Sequence, residues 1–130
     1  MKRAGGSQRS VRVAERIRAE LTEMVLRGEI RDPASQGVIL SEIHVSPDLR
    51  HARIYVRLLD LDPSAARKDA AVAALSKAAG YLRRELGTRL ATKFTPELRF
   101  FWDDAVDRGY RVEEILREMG NGQSGNSGKP

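Results

Sequence analysis

The sequence predicts an α+β two-layer domain, with helices covering one face of a three-stranded sheet. Three observations lead there. Two neighbouring segments, Val38 to Val45 and Arg50 to Leu59, carry strand patterns on either side of the turn signal Ser46-Pro47-Asp48. Apolar residues recur at helical spacing both before and after that pair. A third run, Leu98 to Trp102, is short, apolar and aromatic. The predicted order is helix, strand, strand, helix, helix, strand, helix. Such a layout buries one face of a sheet under helices. The 130 residues are enough for one domain with a working core. Residues 9–119 are expected to form it, residues 1–8 to be a flexible N-terminus, and the polar, glycine-rich residues 120–130 to be a disordered tail.

Each element has its own signature. From Ser10 to about Leu26, Ala14, Ile17, Leu21, Met24 and Val25 form one helical stripe, and Gly28 is placed to end it. In the first strand Ile39, Ile43 and Val45 share a parity. In the second, Ala52, Ile54, Val56 and Leu58 face one way while Arg53, Tyr55 and Arg57 face the other. A sheet with one apolar and one polar face covers a core on one side only. Asp62-Pro63-Ser64 opens the next helix, whose stripe runs Val72, Leu75, Ala79, Leu82, Leu86 and Leu90. A glycine inside it, Gly80, costs about 1 kcal/mol relative to alanine. It predicts two helices meeting near Gly80, by a bend or a close approach, in place of one straight rod. Thr95-Pro96 breaks the pattern before the third strand. Asp103 or Asp104 is expected to cap a final helix carrying Val106, Tyr110, Ile115 and Leu116.

Composition removes several function classes. With no cysteine, disulfides and thiolate metal sites are impossible. No apolar run approaches the roughly 20 residues of a membrane span, and the basic N-terminus lacks a signal peptide's apolar stretch. A cytoplasmic protein without a membrane partner is expected. The only histidines, His44 and His51, flank the hairpin turn, and two ligands without a third make a poor metal site. There is no Walker-type loop, and neither Ser41 nor Ser46 has a motif that would activate it as a nucleophile. The acids Asp103, Asp104 and Asp107 are accounted for by helix capping. No enzyme, cofactor or small-molecule substrate is expected.

The charge is unevenly spread. The formal net charge is +5. Residues 1–31 hold eight basic and four acidic residues, residues 77–99 six and two, and residues 100–118 three and six, giving +4, +4 and −3. Two basic segments that meet in space would form the footprint of a polyanion partner. Ordinary solvated helix faces are the alternative.

Five segments, in order, resemble bacterial ribosome-binding factor A. They are Arg12 to Leu21, Val45 to Val56, Ala78 to Gly87, Thr95 to Phe100 and Arg108 to Leu116, so that the likeness spans roughly residues 9 to 117. The element order also matches a type II KH domain with an added C-terminal helix. The resemblance implies a KH-like fold in which an Ala-x-Gly kink, here Ala78-Ala79-Gly80, replaces the usual Gly-x-x-Gly loop. It implies a protein that binds the immature small ribosomal subunit and its rRNA, supports late maturation including 5′-end processing of the precursor, is linked to growth in the cold, and has no catalytic activity; a monomer is expected. The chain departs from the family pattern in its short polar tail.

Joined to that resemblance, the residues around the kink become the leading RNA contacts. Lys77, Gly80 and Arg84 lie three to four apart and share a helix face, with Ala78 at the kink and Arg83 adjacent. A backbone bared at Gly80 admits a phosphate that lysine and arginine neutralise. The alternative is a packing glycine with solvated neighbours. Arg89 and Lys93 would extend the track. Arg9, Arg12 and Arg16 are further candidates, although Arg16 could equally pair with Glu20. The stripe Arg53, Tyr55, Arg57 is a weaker one, and Phe100, Phe101 and Trp102 are expected to be partly core because only alternate strand residues can be exposed. A general KH-like RNA-binding protein without ribosome preference is the second functional expectation.

Overall fold

The computed structural model describes residues 8–90 and 92–104. The expected final helix, the tail and nearly all of the expected flexible N-terminus lie outside the described residues. Within them the order is α1 (Gln8–Leu26), β1 (Val38–Val45), β2 (His51–Leu58), α2 (Ala65–Lys77), α3 (Ala79–Arg89) and β3 (Glu97–Trp102), with a 3₁₀ turn at Pro33–Ser35.

Local chemistry sets the boundaries. α1 ends where Gly28 adopts φ 75°, and the amide of Glu29 donates to Met24 O at 3.1 Å. Such a left-handed terminator satisfies carbonyls that a helix end would otherwise leave open. Ser64 caps α2, its hydroxyl accepting from Arg67 N at 3.0 Å. The hairpin turns at Ser46–Arg50. There the Asp48 carboxylate accepts from the Ser46 hydroxyl and the Arg50 amide, which holds it below the usual carboxylate range.

The sheet order is β1-β2-β3, with β1–β2 antiparallel and β2–β3 parallel. Parallel neighbours need a crossover, and α2 and α3 supply it. Ile17, Leu21 and Met24 of α1, Leu75 of α2, and Leu82 and Leu86 of α3 meet Ile43, Ile54, Val56, Leu98 and Phe100 in one core. Each such burial stabilises by roughly 1.5–3 kcal/mol. No helix among the described residues is long and apolar enough to cross a membrane.

Two expectations are corrected. Ile39 does not share a face with Ile43 and Val45: a register shift at Ser41 lets Leu40 enter the core and leaves Ile39 42% exposed. A bulge adds one residue, and one residue reverses strand parity. On α1, Val13 is buried and Ala14 only packs at the margin.

Candidate nucleic-acid interface

The kink has a simple construction. Ala78, at φ −85° and ψ −1°, ends α2 and precedes α3, with its amide donating back to Ala74 O and Leu75 O. The bend therefore falls two residues before Gly80. The start of α3 has no side-chain cap. Gly80 is exposed, and a Cβ added there would meet nothing within 4 Å. It is not a packing glycine. The close approach occurs instead one helical face-repeat later, where a Cβ on Gly87 would stand 3.1 Å from Thr95 Oγ1.

Helical spacing divides α3 into sides. Leu82 and Leu86 point into the core. Tyr81, Glu85 and Arg89 look toward α1: Tyr81 donates to Glu29 at 3.0 Å, which raises the phenol above its usual value. Arg89 lies within 4 Å of Glu20, Glu23, Glu29 and Glu85, at 3.1, 3.8, 3.8 and 3.9 Å. The hydrogen bond that Arg89 donates to Glu20 leads the effects that raise Arg89 above the usual guanidinium value. Arg16 donates to Arg89 O at 2.7 Å and pairs with Glu20 at 3.5 Å. These contacts tie α3 to α1 from Arg16 onward and to Glu29 just beyond its end.

The third side looks outward and holds Gly80, Arg83, Arg84 and Gly87, spaced as one helix face. Arg83 donates through Nε and Nη2 to Thr95 O at 3.1 and 3.0 Å, fixing the α3–β3 loop. Lys77 and Arg84 are exposed, and among the described residues neither has a carboxylate within 4.0 Å.

The sequence-selected residues therefore sort into groups. Lys77, Ala78, Gly80, Arg83 and Arg84 lie together at the junction and on the outward side. Lys93 stands on the loop that this side holds. Arg9 and Arg12 are exposed near the start of α1. Arg16 and Arg89 face each other across α1 and α3 with their charges matched by glutamates. Arg18 serves the sheet edge, donating to Leu40 O and, at 3.1 Å, to Ser41 O at the bulge. Unpaired strand edges invite association, and this contact covers one.

The polar sheet face is more aromatic than its sequence stripe suggested. Tyr55 lies between His44 and Phe101, with ring centroids 6.0 and 5.6 Å away. Phe101 is 39% exposed, whereas Phe100 is buried and Trp102 packs at the core margin. His44 pairs in register with Arg53 and His51 with Glu97, so the two histidines are not cross-strand neighbours. Among the described residues no three histidine or carboxylate side chains are grouped to hold a metal ion.

Sequence reasoning passed over Phe94, Arg50 and Gly87. Phe94 is 51% exposed on the α3–β3 loop, between Arg50 and Lys93. The available signal was an aromatic residue beside a lysine in a turn where neither is needed for a core.

Residues 9–116 match the family model described as ribosome-binding factor A. Similar chains of that description include one from Halorhodospira halophila, 43% identical over 85% of this chain and 86% of its own length. Another, from Sorangium cellulosum, is 37% identical over 94% and 97%. Among solved structures, a Thermotoga maritima protein described as a putative ribosome binding factor A aligns with TM-score 0.61 and 28% identity, covering 74% of this chain and 88% of that one. A Thermus thermophilus ribosome binding factor A model, fitted into a cryo-EM map of a 30S complex, aligns with TM-score 0.50 and 22% identity over 68% and 93%.

Proposed function

Because this chain belongs to the ribosome-binding factor A family, we propose that it is a small-subunit assembly factor that grips rRNA of the immature subunit with the outward side of α3. In this reading it supports late rRNA maturation, including 5′-end processing of the precursor. It acts in the cytoplasm as a monomer, without cofactor or small-molecule substrate, and is linked to growth in the cold.

The observation that carries the reading is Gly80. Glycine in a helix costs about 1 kcal/mol relative to alanine. Here no neighbour demands it, because the space above Gly80 is open. What a bare Cα does provide is close approach for a ligand to the first turn of α3. That turn presents backbone amides at the positive end of the helix dipole, flanked by Lys77 and Arg84. A phosphate fits all of these features. The 30S complex of the Thermus thermophilus relative supports the small subunit as the source of that phosphate.

The mechanism is stoichiometric. A ligand shifts a conformational equilibrium only by its difference in affinity for the two states. The factor holds an immature rRNA arrangement better than the mature one, and it leaves when maturation removes the preferred surface. No bond is made or broken by the protein.

Co-sedimentation with free small subunits and with whole ribosomes, over a series of salt concentrations, tests this. Binding to free subunits alone, weakening as salt rises and surviving bulk RNA competitor, is the expected result. Equal binding to both particles and to unrelated RNA would reduce the protein to a general KH-like RNA binder.

A further inference from the structure

We propose that Phe94 is a stacking platform for an unpaired RNA base, with Arg50 and Lys93 serving the phosphates on either side. The inference rests on the RNA reading of α3 and deepens it. It makes the bound strand single-stranded where it passes the α3–β3 loop.

Phe94 is 51% exposed, yet the loop carrying it is held from several directions. Thr92 Oγ1 donates to Phe94 O at 2.7 Å. Arg83 holds Thr95 O with two donors, and Thr95 sits against the bare Cα of Gly87. Pro96 is buried, and the amide of Glu97 donates to Arg50 O at 2.8 Å, tying the loop to the hairpin. A ring fixed by its backbone and half out in water is preorganised for a partner. Immobilising it on binding would cost little entropy.

The surroundings select the partner's chemistry. Arg50 Cζ is 5.8 Å and Lys93 Nζ 5.7 Å from the ring centroid. Both lie within the roughly 6 Å range of a cation–π contact, near its limit, where the attraction to be given up for an anion is small. Neither has a carboxylate within 4.0 Å among the described residues. An apolar protein partner would want apolar company around the ring. An exposed apolar groove among the described residues, about 460 Å³ and lined by Val25, Leu26, Val38, Ile39 and Leu59, does not include Phe94. An aromatic face with loose cations beside it suits an unpaired nucleotide, whose base stacks while its phosphates are neutralised. A duplex keeps its bases inside and cannot use the ring.

The Arg83–Thr95 contact makes the platform continuous with the phosphate track. Arg83 shares the outward side of α3 with Gly80 and Arg84 and grips the residue after Phe94. A strand lying along α3 from the kink arrives at this loop.

The test compares Phe94→Ala, Phe94→Trp and the double variant Lys77→Ala/Arg84→Ala. The probes are a short oligoadenylate and an RNA duplex with the same number of phosphates, and thermal melting checks the fold. Phe94→Ala is expected to weaken oligoadenylate binding roughly 5- to 100-fold, the worth of one stacked base. Duplex binding and the salt slope should stay as they were, and Phe94→Trp should restore oligoadenylate affinity. The double variant should weaken both probes and flatten both salt slopes. Wild-type affinity of Phe94→Ala for oligoadenylate, beside a weakened double variant, overturns the stacking platform and leaves the phosphate track standing. Equal losses on both probes from Phe94→Ala would also overturn it, since the ring would then only support the loop. Wild-type binding by all three variants removes the α3 reading itself.

Discussion

The two polar sides of α3 are made from similar residues and behave differently. Toward α1, Arg89 is surrounded by four glutamates and Tyr81 is tied to Glu29. On the outward side, Arg84 and nearby Lys77 have no carboxylate within reach among the described residues, and the helix shows bare backbone at Gly80. A basic side chain whose charge is already matched must break existing pairs before it can take a phosphate. One without a partner gives up only water and counterions, whose release favours binding. Residues that look alike in a basic segment of sequence are thus divided between those whose charge is matched by glutamates and those left facing solvent.

The largest expected effect belongs to the outward side. Replacing Lys77 and Arg84 together with alanine should weaken small-subunit binding on the order of tenfold and lower the salt slope by about one unit per cation. The melting temperature should stay near wild type. Sedimentation across salt, paired with a thermal melt, reads both. A large loss of stability with unchanged binding would exchange the roles assigned to the two sides.

Arg89→Ala should do the opposite. Removing the guanidinium leaves Glu20, Glu23, Glu29 and Glu85 close together without their shared cation, so the melting temperature should fall by several degrees. Subunit affinity, measured below the onset of unfolding, should be retained. Lower affinity with unchanged melting would place Arg89 in the RNA track after all.

A smaller effect, away from both sides, is expected with pH at the hairpin turn. Asp48, in the turn that presents Arg50, has a folded pKa below the ordinary carboxylate range because Ser46 and the Arg50 amide donate to it. Its contribution is therefore present above the unfolded value and disappears as pH falls through the folded one. Asp48→Asn should lower the melting temperature slightly at neutral pH and converge with wild type in acid. Parallel curves down to low pH would show that the turn does not depend on this carboxylate.

Much of the fold was legible because its signals are local. The Pro-Asp turn, the Gly28 terminator, the Ser64 cap and the stripe through Leu75, Leu82 and Leu86 each need only a few neighbouring residues. The exchange of Ile39 for Leu40 in the core was not legible, because a bulge at Ser41 depends on how β1 meets β2 and on Arg18 reaching that edge from α1. The site follows the same rule. Lys77, Gly80 and Arg84 were visible as a helical spacing, although the junction at Ala78 puts Lys77 on α2 and the other two on α3. The glutamates around Arg89 were not, since Glu20 stands 69 residues earlier and meets it only once α1 and α3 pack together. Phe94 was missed because exposure of a loop aromatic is set by the fold around it, here by Arg83, Gly87 and Pro96.

The most direct test of the central claim uses Gly80 alone. Gly80→Ala places a methyl group in open space on a helix, so it should stabilise the protein by about 0.4–1 kcal/mol. Thermal melting and co-sedimentation with free small subunits would be measured on the same preparation. A phosphate seated over the bare Cα requires that the variant melt higher and bind the subunit more weakly. A protein that melts higher and binds as well as wild type would contradict it.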